Sequence, residues 1–483
     1  MSIVKDLRRI PPCVRVFFSS LRMAFRFGVK QTPHIRFVYL LLALTPSPAF
    51  AHARLLKSLP ASGAHVASIS VIELWFSERA DARLTTIVLR DRTGATFPVS
   101  KPQTAANDPT RIMASVVAAL PSGHYTVEWH TVSSDGHPSQ GQFSFTVAGE
   151  SGATASGSSQ GTALVAPPAS TSPAPAITEQ DQAAASPVNS LARAISFGGI
   201  LLVIGVVVFN LLVLARADRI GSELVWRMEA RAATVGLSAA ILVIGAAFGR
   251  VFLESRMMTS MPGMESMDMS AMLLHTLWGF GMQLQIASGF LAAIAFSIAI
   301  PRVRFAWLIA SLAATGLAFS PAFAGHAAAS ARFPGAMIFT DFLHVVGAAS
   351  WLGNLACVML IGIPIIVKAA SEDRWQRVSI LVNTFSPIAL GSATVVVLSG
   401  LIAAAVHLQS FAALWSTTYG RVLLLKLGIV LITLTIGGYN FRRVQPQLVS
   451  EDGTTLLRRS AMLELAAAAV IVVITGFLTG VSP

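Results

Sequence analysis

Cysteine is almost absent from this chain of 483 residues, which contains only two. Cys13 lies in a basic N-terminal segment, and Cys357 lies inside a long apolar run. If the N-terminal segment is removed, one cysteine remains and no disulfide can form within the mature chain. An exported domain would therefore depend on its hydrophobic core alone, and thiolate chemistry is disfavoured.

Charged residues are also scarce, at 12% of the sequence against 54% hydrophobic residues. This balance is typical of a membrane protein rather than a soluble one. The formal net charge is +12, but the basic residues concentrate in the N-terminal segment and in short loops between apolar runs. They form no patch interleaved with aromatic residues, so we expect no nucleic-acid partner. The chain also lacks a Gly-Lys-Ser/Thr phosphate-binding loop, which argues against ATP-driven pumping within this chain.

The first 51 residues have the pattern of a cleaved signal peptide. They contain eight Lys or Arg and one acid, followed by a short apolar run at 37–44. That run is too short to span a bilayer, and the small-x-small sequence Ala49-Phe50-Ala51 predicts cleavage after Ala51. His52 would then become the first residue of the mature chain, where its α-amine and its imidazole can chelate one metal ion together.

Residues 52–148 are predicted to form an all-β sandwich of about seven strands, of the immunoglobulin or cupredoxin type. Turn-forming clusters such as Asp91-Arg92-Thr93-Gly94 separate the apolar stretches, as expected for short strands in a sandwich. The alternating pattern predicts strands at 71–76, 84–90, 112–117, 125–129 and 142–147.

The two ends of this domain supply a candidate metal-binding set. His52 offers an amine and an imidazole nitrogen, His137 a third nitrogen, and Asp135 a carboxylate oxygen. Such a set in a tetragonal arrangement favours Cu(II) over most divalent ions. Asp135 and His137 would share one face of a strand, or converge through a turn at Gly136. The alternative is that this segment is an ordinary loop.

Three segments of the domain carry a family resemblance: they are His52–Gly63, Leu74–Glu78 and Tyr125–Pro138. They resemble the CopC family of periplasmic copper-binding β-sandwiches. The resemblance implies that His52, Asp135 and His137 are the Cu(II) ligands. It also implies that Glu78 is a carboxylate beside the site, supporting the ligands rather than binding the metal.

Residues 149–188 are rich in Ala, Ser, Gly, Thr and Pro and contain no Lys or Arg, which predicts a flexible linker. From 189 to 483 we predict an α-helical polytopic membrane domain of eight spans, since each apolar run can cross about 30 Å of hydrocarbon. The runs lie near 191–214, 232–252, 274–300, 305–323, 337–367, 379–406, 420–441 and 460–480.

Basic residues in the loops between these spans fall on alternate sides. One side carries thirteen Lys or Arg, and the other carries Arg256 and Arg332. The positive-inside rule puts the first side in the cytoplasm. The N-terminal domain then lies outside, as the signal peptide also requires. We therefore predict a multi-pass protein of the cell inner (plasma) membrane with a periplasmic N-terminal domain.

The outward side of the spans collects residues that could bind copper. Residues 257–272 contain seven methionines, whose thioethers select Cu(I). Ionisable groups at membrane depth usually mark a pathway or a buried pair. The candidates for a membrane copper path are Met261, Met264, Met267, Met269, His275, His326, Asp341, His344 and His407. The alternatives are a methionine-lined helix lying on the bilayer, and isolated histidines with ordinary polar contacts.

The spans also carry motifs, which are Gly325-His326, Asp341–His344, Ser350–Asn354, Thr418–Lys426, Asn440 and Glu464. These resemble the CopD family of copper membrane proteins. Asn354 stands where glycine is common, which we interpret as a packing change. Together the two resemblances follow the domain order of CopC–CopD fusions and imply copper uptake or copper tolerance.

The sequence therefore predicts a copper-handling protein that is not an enzyme. Cu(II) would bind in the N-terminal domain, and copper would pass, as Cu(I), into the membrane domain. Its partners would be the copper ion, the lipid bilayer and periplasmic copper donor or acceptor proteins. Three alternatives stay open: copper storage or delivery without transport, haem binding by paired histidines, and an oxygen-activating copper oxidase built on the N-terminal histidine.

Overall fold

The computed structural model describes residues 55–77, 80–132, 138–148, 186–259, 269–300, 303–325, 334–369, 371–408 and 410–481. The predicted signal peptide and most of the predicted linker lie outside these residues. So do eight candidate site residues: His52, Glu78, Asp135, His137, Met261, Met264, Met267 and His326. Their assignments stay predictions from the sequence.

Residues 55–148, which we call the head, form two facing β-sheets, and the predicted all-β sandwich is confirmed. The described strands are β1 (Leu55–Leu59), β2 (His65–Val66), β3 (Val71–Phe76), β4 (Thr86–Asp91), β5 (Thr96–Phe97), β6 (Gln103–Ala105), β7 (Asp108–Ser115), β8 (Gly123–Val132) and β9 (Pro138–Val147). One sheet has the order β1-β3-β7-β6 and the other β2-β9-β8-β4-β5. All pairs are antiparallel except β2 with β9.

The core of the head follows from alternation along the strands. On β3, Ile72, Leu74 and Phe76 are buried between the sheets, while Trp75 faces outward. Tyr125 from β8 is also buried, and its hydroxyl donates to the carbonyl of Pro121 at 2.8 Å. Burial of each large apolar side chain contributes about 1.5–3 kcal/mol, which lets a domain without disulfides hold its fold.

The predicted strand at 84–90 begins two residues later than expected, because a 3₁₀ turn occupies Ala82–Leu84. Asp81 caps this turn by accepting a hydrogen bond from the backbone N–H of Arg83 at 2.9 Å. The side chain of Arg83 also pairs with Asp81, at 2.7 Å. The turn takes Leu84 out of the sheet ladder and leaves it outside the core of the sandwich.

Residues 186–481, which we call the membrane body, contain eight helices long and apolar enough to span a membrane among the described residues. They are α1 (Pro187–Arg216), α2 (Ser222–Thr259), α3 (Leu277–Ala299), α4 (Phe305–Phe323), α5 (Pro334–Lys368), α6 (Arg374–Val406), α7 (Thr418–Gln447) and α8 (Glu451–Leu478). A short helix, Met269–His275, precedes α3. The predicted α-helical domain of eight spans is confirmed.

Hydroxyl caps fix where several of these helices begin. Ser186, Thr276, Thr417 and Ser450 each accept a hydrogen bond from a backbone N–H in the first turn of α1, α3, α7 and α8. This is the preferred chemistry for the unpaired donors at a helix start. Serine or threonine before an apolar run is therefore a local signal of the helix boundary in this chain.

Helices α1 and α5 cross at very close range. A Cβ atom at Gly205 would collide with the backbone of Gly353, and one at Gly353 would collide with the carbonyl of Leu201. Glycine at both positions lets the backbones meet, as in other membrane helix pairs. The next residue, Asn354, is fully buried in this contact region. The crossing fixes the part of α5 that carries Trp351 and, two to three turns earlier, His344 and Asp341.

Candidate functional site

A cavity of about 480 Å³ lies in the half of the membrane body where α1, α5 and α7 begin and α2 and α6 end. We call this half the head side, because the head joins the body there. The cavity walls are mostly apolar and come from α1, α2 and α4 to α8, together with Trp278 of α3. Trp351, midway along α5, also lines it. The ionisable and phenolic side chains in its lining are Arg193, Arg250, Glu254, Asp341, His344, Tyr419 and Lys426.

Asp341 and His344, two of the residues proposed from the sequence for a copper path, both line this cavity. They lie three residues apart on α5 and therefore on one face of the helix. The ring of His344 packs against α6 at Gly400, where a Cβ atom would approach Cε1 to 3.4 Å. Glycine at this position makes room for the imidazole.

Hydrogen bonds orient the imidazole of His344. Its Nδ1 lies 3.0 Å from Oγ of Ser399, whose hydroxyl donates to the carbonyl of Val395 at 2.6 Å. A hydroxyl that donates to a carbonyl accepts from the ring, so this arrangement favours the tautomer with a proton on Nδ1. Nε2 then keeps its lone pair. A histidine held in this way by its other nitrogen is arranged as a metal ligand.

The charges around the cavity include Arg193, Arg250 and Glu254, which the sequence analysis missed, and Lys426, which it named only as part of a motif. Lys426 on α7 is close enough to act electrostatically on both Asp341 and His344, and the sequence placed it near the outer end of its span. Arg193 on α1, together with Arg250 and Glu254 on α2, forms a second charged group. Each of these charged residues interrupts or ends an apolar run. An ionisable residue at membrane depth is therefore the sequence signal by which they could have been predicted.

These charges bear on what the cavity can hold. With all groups ionised, the three basic side chains Arg193, Arg250 and Lys426 outnumber the two carboxylates. A bare cation would therefore need Asp341 and Glu254 close to its route.

A second feature joins the head to the body. Leu84 from the 3₁₀ turn and Val132 from the end of β8 are buried against side chains of the body, and Thr85 and Thr131 share a hydrogen bond of 2.7 Å beside them. We call this contact the methionine cluster. Its fully buried members are Leu84, Val132, Met258, Met272, Trp278 and Met282, each at most 5% exposed.

The short helix Met269–His275 is fixed beside this cluster by hydrogen bonds to α3. The hydroxyl of Thr276 donates to the carbonyl of Met272 at 2.7 Å, and Gln283 donates to the carbonyl of Leu273 at 2.6 Å. Gly279 has no room for a Cβ atom against Leu273. The helix that carries Met272 and His275 is thus held rigidly at the head side of the body.

Asp81 of the head lies near His275 of the body. Burial raises the pKa of the Asp81 carboxyl, but its hydrogen bonds and ion pair with Arg83, together with the proximity of His275, hold the pKa below its ordinary value. Asp81 is therefore ionised at neutral pH. His275 itself is exposed. An exposed imidazole beside a carboxylate and next to a methionine helix is an accessible position for a copper ion.

The described methionines differ from the expectation in one respect. A segment on the outward side that captures copper would present its methionines to solvent, yet Met258 and Met272 are fully buried and Met257 and Met269 are partly buried. They are covered because Leu84 and Val132 of the head and Trp278 and Met282 of the body pack in the same cluster. Covering thioethers with leucine and valine lowers the cost of their exposure in water.

The structure does not bring all the candidate ligands together. Asp341 and His344 share the cavity, His275 and Met269 lie at the head–body contact, and His407 lies in α6 with a side chain that is outside the described residues. Within the described parts of the chain, no group of three or more His, Cys, Asp or Glu is close enough to hold a metal ion. A copper path through these residues would consist of separate stations.

Comparison with known proteins bears on both parts of the chain. Residues 55–148 match the family model of the CopC domain, and residues 380–478 match that of copper resistance protein D, or CopD. The chain is 25% identical over 422 residues to the copper transport protein CutJ of Bacillus subtilis, which covers 84% of this chain and 71% of CutJ.

Shorter relatives match the head. Copper resistance protein C of Pseudomonas syringae pv. tomato is 33% identical over 109 residues, covering 22% of this chain and 86% of that protein. Copper resistance protein C of Escherichia coli is 34% identical over 105 residues, covering 83% of that protein. Among solved structures, CopC from Methylosinus trichosporium OB3b aligns with 26% identity and a TM-score of 0.20, over 21% of this chain and 98% of that chain.

Proposed function

The chain belongs to the CopC family of copper proteins and joins its CopC domain to a CopD domain in one polypeptide, and we propose that it takes up copper outside the cell membrane and passes it into its membrane body. The named relatives are proteins of copper resistance and copper transport. For this chain we propose uptake of copper, which would serve supply or tolerance according to where the ion is finally bound.

The orientation in this proposal rests on charge. Thirteen Lys or Arg lie in the connecting segments and adjoining helix ends on the side opposite the head, against Arg256 and Arg332 between the apolar runs on the head side. Positive charge is retained in the cytoplasm, so the head would face the periplasm of the inner membrane. A cleaved signal peptide ahead of His52 would produce the same orientation.

The observation that carries the proposal is that the head contacts the body through the methionine cluster. Val132 precedes Asp135 by three residues, and Leu84 follows Glu78 by six. Because a chain extends by at most about 3.6 Å per residue, the docked part of the head belongs to the part of the chain that carries the predicted Cu(II) site. We therefore propose that copper bound by the head is passed to the body across the contact that Leu84 and Val132 make.

The proposed route has three stations. Cu(II) is held by His52, Asp135 and His137. Copper then passes to the methionine segment and His275, where thioethers favour Cu(I). The reduction of Cu(II) to Cu(I) takes one electron from an external donor. From there it reaches Asp341 and His344 in the cavity, where Nε2 of the imidazole is available as a ligand.

We propose transport rather than catalysis for this chain. An oxidase built on an N-terminal histidine needs an open copper position for oxygen, and Asp135 would occupy one position in the predicted set. The mature protein should therefore bind Cu(II) without consuming oxygen in the presence of a reductant. Oxygen consumption by the copper-loaded chain would favour the enzyme alternative.

Copper accumulation in cells tests the proposed function. We expect His344→Ala to lower cytoplasmic copper several-fold relative to the wild-type chain, because the cavity loses its neutral nitrogen ligand. Copper is measured by mass spectrometry of the cytoplasmic fraction at equal levels of membrane-inserted protein. His124→Ala is the matched control, since that imidazole lies on β8 beside Thr146 of β9 and away from the path. Equal copper in cells expressing wild type and His344→Ala would contradict uptake through the cavity.

A further inference from the structure

The lining of the cavity changes from charged to apolar along its depth. On α5 the lining runs from Asp341 to Leu352, and on α7 it runs from Tyr419 to Leu434. On both helices the ionisable residues come first, at the head side, and only apolar residues and Trp351 follow. Ten residues separate Asp341 from Trp351, which corresponds to about 15 Å along a helix. The cavity is therefore amphipathic, with its charged end toward the head.

Trp351 belongs to the apolar part of the cavity. Its indole Nε1 donates to Oε1 of the buried Glu464 on α8 at 3.0 Å. The lining at this depth also includes Leu434 of α7 and Ile471 of α8. Because the indole N–H is directed to α8, this part of the cavity offers apolar surface to an occupant.

The cavity is bounded on one side by α6 and α7, which pack little against each other. Within the described residues, α6 packs mainly on α5 and α7 packs mainly on α8. Leu401 of α6 and Leu431 of α7 line the cavity, yet they are 58% and 65% exposed. An exposed leucine within a membrane span faces lipid rather than water. The cavity therefore has a side opening to the bilayer, which we call the α6–α7 gap.

The excess positive charge of the cavity is found in one group of side chains. Lys426 acts electrostatically on Asp341, so these two opposite charges balance each other. The other group has two cations, Arg193 and Arg250, and one carboxylate, Glu254. Arg250 is close enough to be repelled by Arg193 and attracted by Glu254. With all three side chains ionised, two positive charges stand against one negative charge.

This charge excess favours an anion at the head side of the cavity. An ion at membrane depth is costly unless an opposite charge offsets its loss of water. Within the described part of the chain, Arg250 makes no ion pair. The planar guanidinium matches two oxygens of a phosphate, which makes arginine a preferred phosphate ligand. The apolar depth and the α6–α7 gap require that the anion also carries a long apolar chain.

We propose that the cavity binds one phospholipid from the leaflet on the head side, with a headgroup of net charge −1 as in phosphatidylglycerol. Its phosphate lies beside Arg193 and Arg250. One acyl chain follows the apolar lining toward Trp351, and the other stays in the bilayer beyond the α6–α7 gap. The direction fits, because a lipid of that leaflet also has its phosphate toward the head and its chains toward the middle of the membrane.

Charge selects the headgroup. The three basic side chains of the cavity are balanced by two carboxylates and one phosphate. Phosphatidylcholine has the same phosphate, but its quaternary amine adds a positive charge that restores the excess. The inference goes beyond the proposed function and does not depend on it, since it concerns only what the cavity binds. It assigns no contact to Nε2 of His344, which stays available to copper.

Two variants of α2 separate this site from general attraction between a basic protein and an anionic lipid. Arg250→Gln removes the excess charge and keeps a polar side chain. Arg256→Gln is the matched control, because it removes one positive charge from the same helix on the same side of the body. Arg256 is exposed, stacks over the ring of Phe252 and does not line the cavity.

Lipid retention by the full-length protein tests the inference. The protein is delipidated in detergent and equilibrated with equal amounts of phosphatidylglycerol and phosphatidylcholine that have the same acyl chains. Bound lipid is then counted by native mass spectrometry. We expect the wild type and Arg256→Gln to prefer phosphatidylglycerol about fivefold, which is the attraction of one basic residue for an anionic lipid. Arg250→Gln should retain both lipids equally. Equal retention by the wild type, or an unchanged preference in a folded Arg250→Gln, overturns the inference.

Two further measurements decide the inference even if Arg250→Gln does not fold. Inorganic phosphate in large excess should leave phosphatidylglycerol bound to the wild type, and its displacement would show that the site takes free phosphate instead. Phosphatidylglycerol with brominated acyl chains should quench the fluorescence of Trp351. The quenching should therefore be smaller in Trp351→Phe than in the wild type, and equal quenching in both overturns the placement of the acyl chain. None of these measurements contains copper, so their failure leaves the proposed function standing.

Discussion

Leu84→Asp is expected to slow the transfer of copper from the head to the membrane body at least about tenfold. Burying one uncompensated polar group costs on the order of 1–3 kcal/mol, and a free-energy difference of about 1.4 kcal/mol corresponds to a factor of ten. Leu84 is 1% exposed and packs with Met258, Met272 and Met282 rather than with the core of the sandwich. A carboxylate at this position would break the methionine cluster and separate the head from the body. The measurement is the rate at which Cu(II) bound to the head is lost after reductant is added, in the full chain.

The control for this prediction uses another leucine of the head. Leu56 on β1 is 68% exposed, so Leu56→Asp adds the same charge to a surface that contacts nothing in the cluster. We expect Leu56→Asp to transfer copper at the wild-type rate. Both variants should still bind Cu(II), because neither residue belongs to the core formed by Ile72, Leu74 and Phe76. An unchanged rate in Leu84→Asp would show that the docked contact has no part in transfer.

His52→Ala is expected to weaken Cu(II) binding by the full-length protein about 100-fold or more. Changes to groups that merely support metal ligands already cost about 10–100-fold, and this change removes the imidazole of the predicted chelate itself. The affinity is measured by competition with a chelator of known strength. The electron paramagnetic resonance spectrum should lose one nitrogen coupling at the same time.

His124→Ala is again the matched control, because it removes an imidazole from the head at a position that has no predicted role. It should leave both affinity and spectrum unchanged. The prediction also requires mass spectrometry of the mature chain to find His52 as its first residue. Wild-type affinity in His52→Ala, or a different first residue, would remove the predicted amine–imidazole chelate from the account.

Much of the architecture could be predicted because it depends on local patterns. The eight spans follow from apolar runs whose length matches the bilayer, and hydroxyl residues such as Thr417 and Ser450 mark where helices begin. Strand β3 follows from alternation between Ile72 and Phe76, and its predicted bounds agree with the structure. The late start of β4 could have been expected only from the capping ability of Asp81.

The site was less predictable because it depends on contacts between distant segments. The sequence placed Asp341 and His344 on one face of a helix, and in the structure both line one cavity. It gave no sign that Leu84 would cover Met258 and Met272, since these residues are far apart in the chain and apolar residues pack without a directional signal.

The contact between Trp351 and Glu464 shows the same limit for polar groups. Both residues belonged to motifs that suggested a role, but their pairing depends on how α5 crosses the bundle. That crossing is fixed by the backbone contact of Gly205 with Gly353. A glycine in an apolar run indicates that some helix comes close, but the sequence alone does not identify which helix it is.

Copper entry into sealed vesicles tests the central claim most directly. The wild-type chain is reconstituted into vesicles with the head outside, copper is supplied outside together with a reductant, and internal copper is followed with an enclosed indicator. The account predicts entry that exceeds the leak of protein-free vesicles and falls toward that leak in His344→Ala. Entry by the wild-type chain at the rate of protein-free vesicles would contradict it.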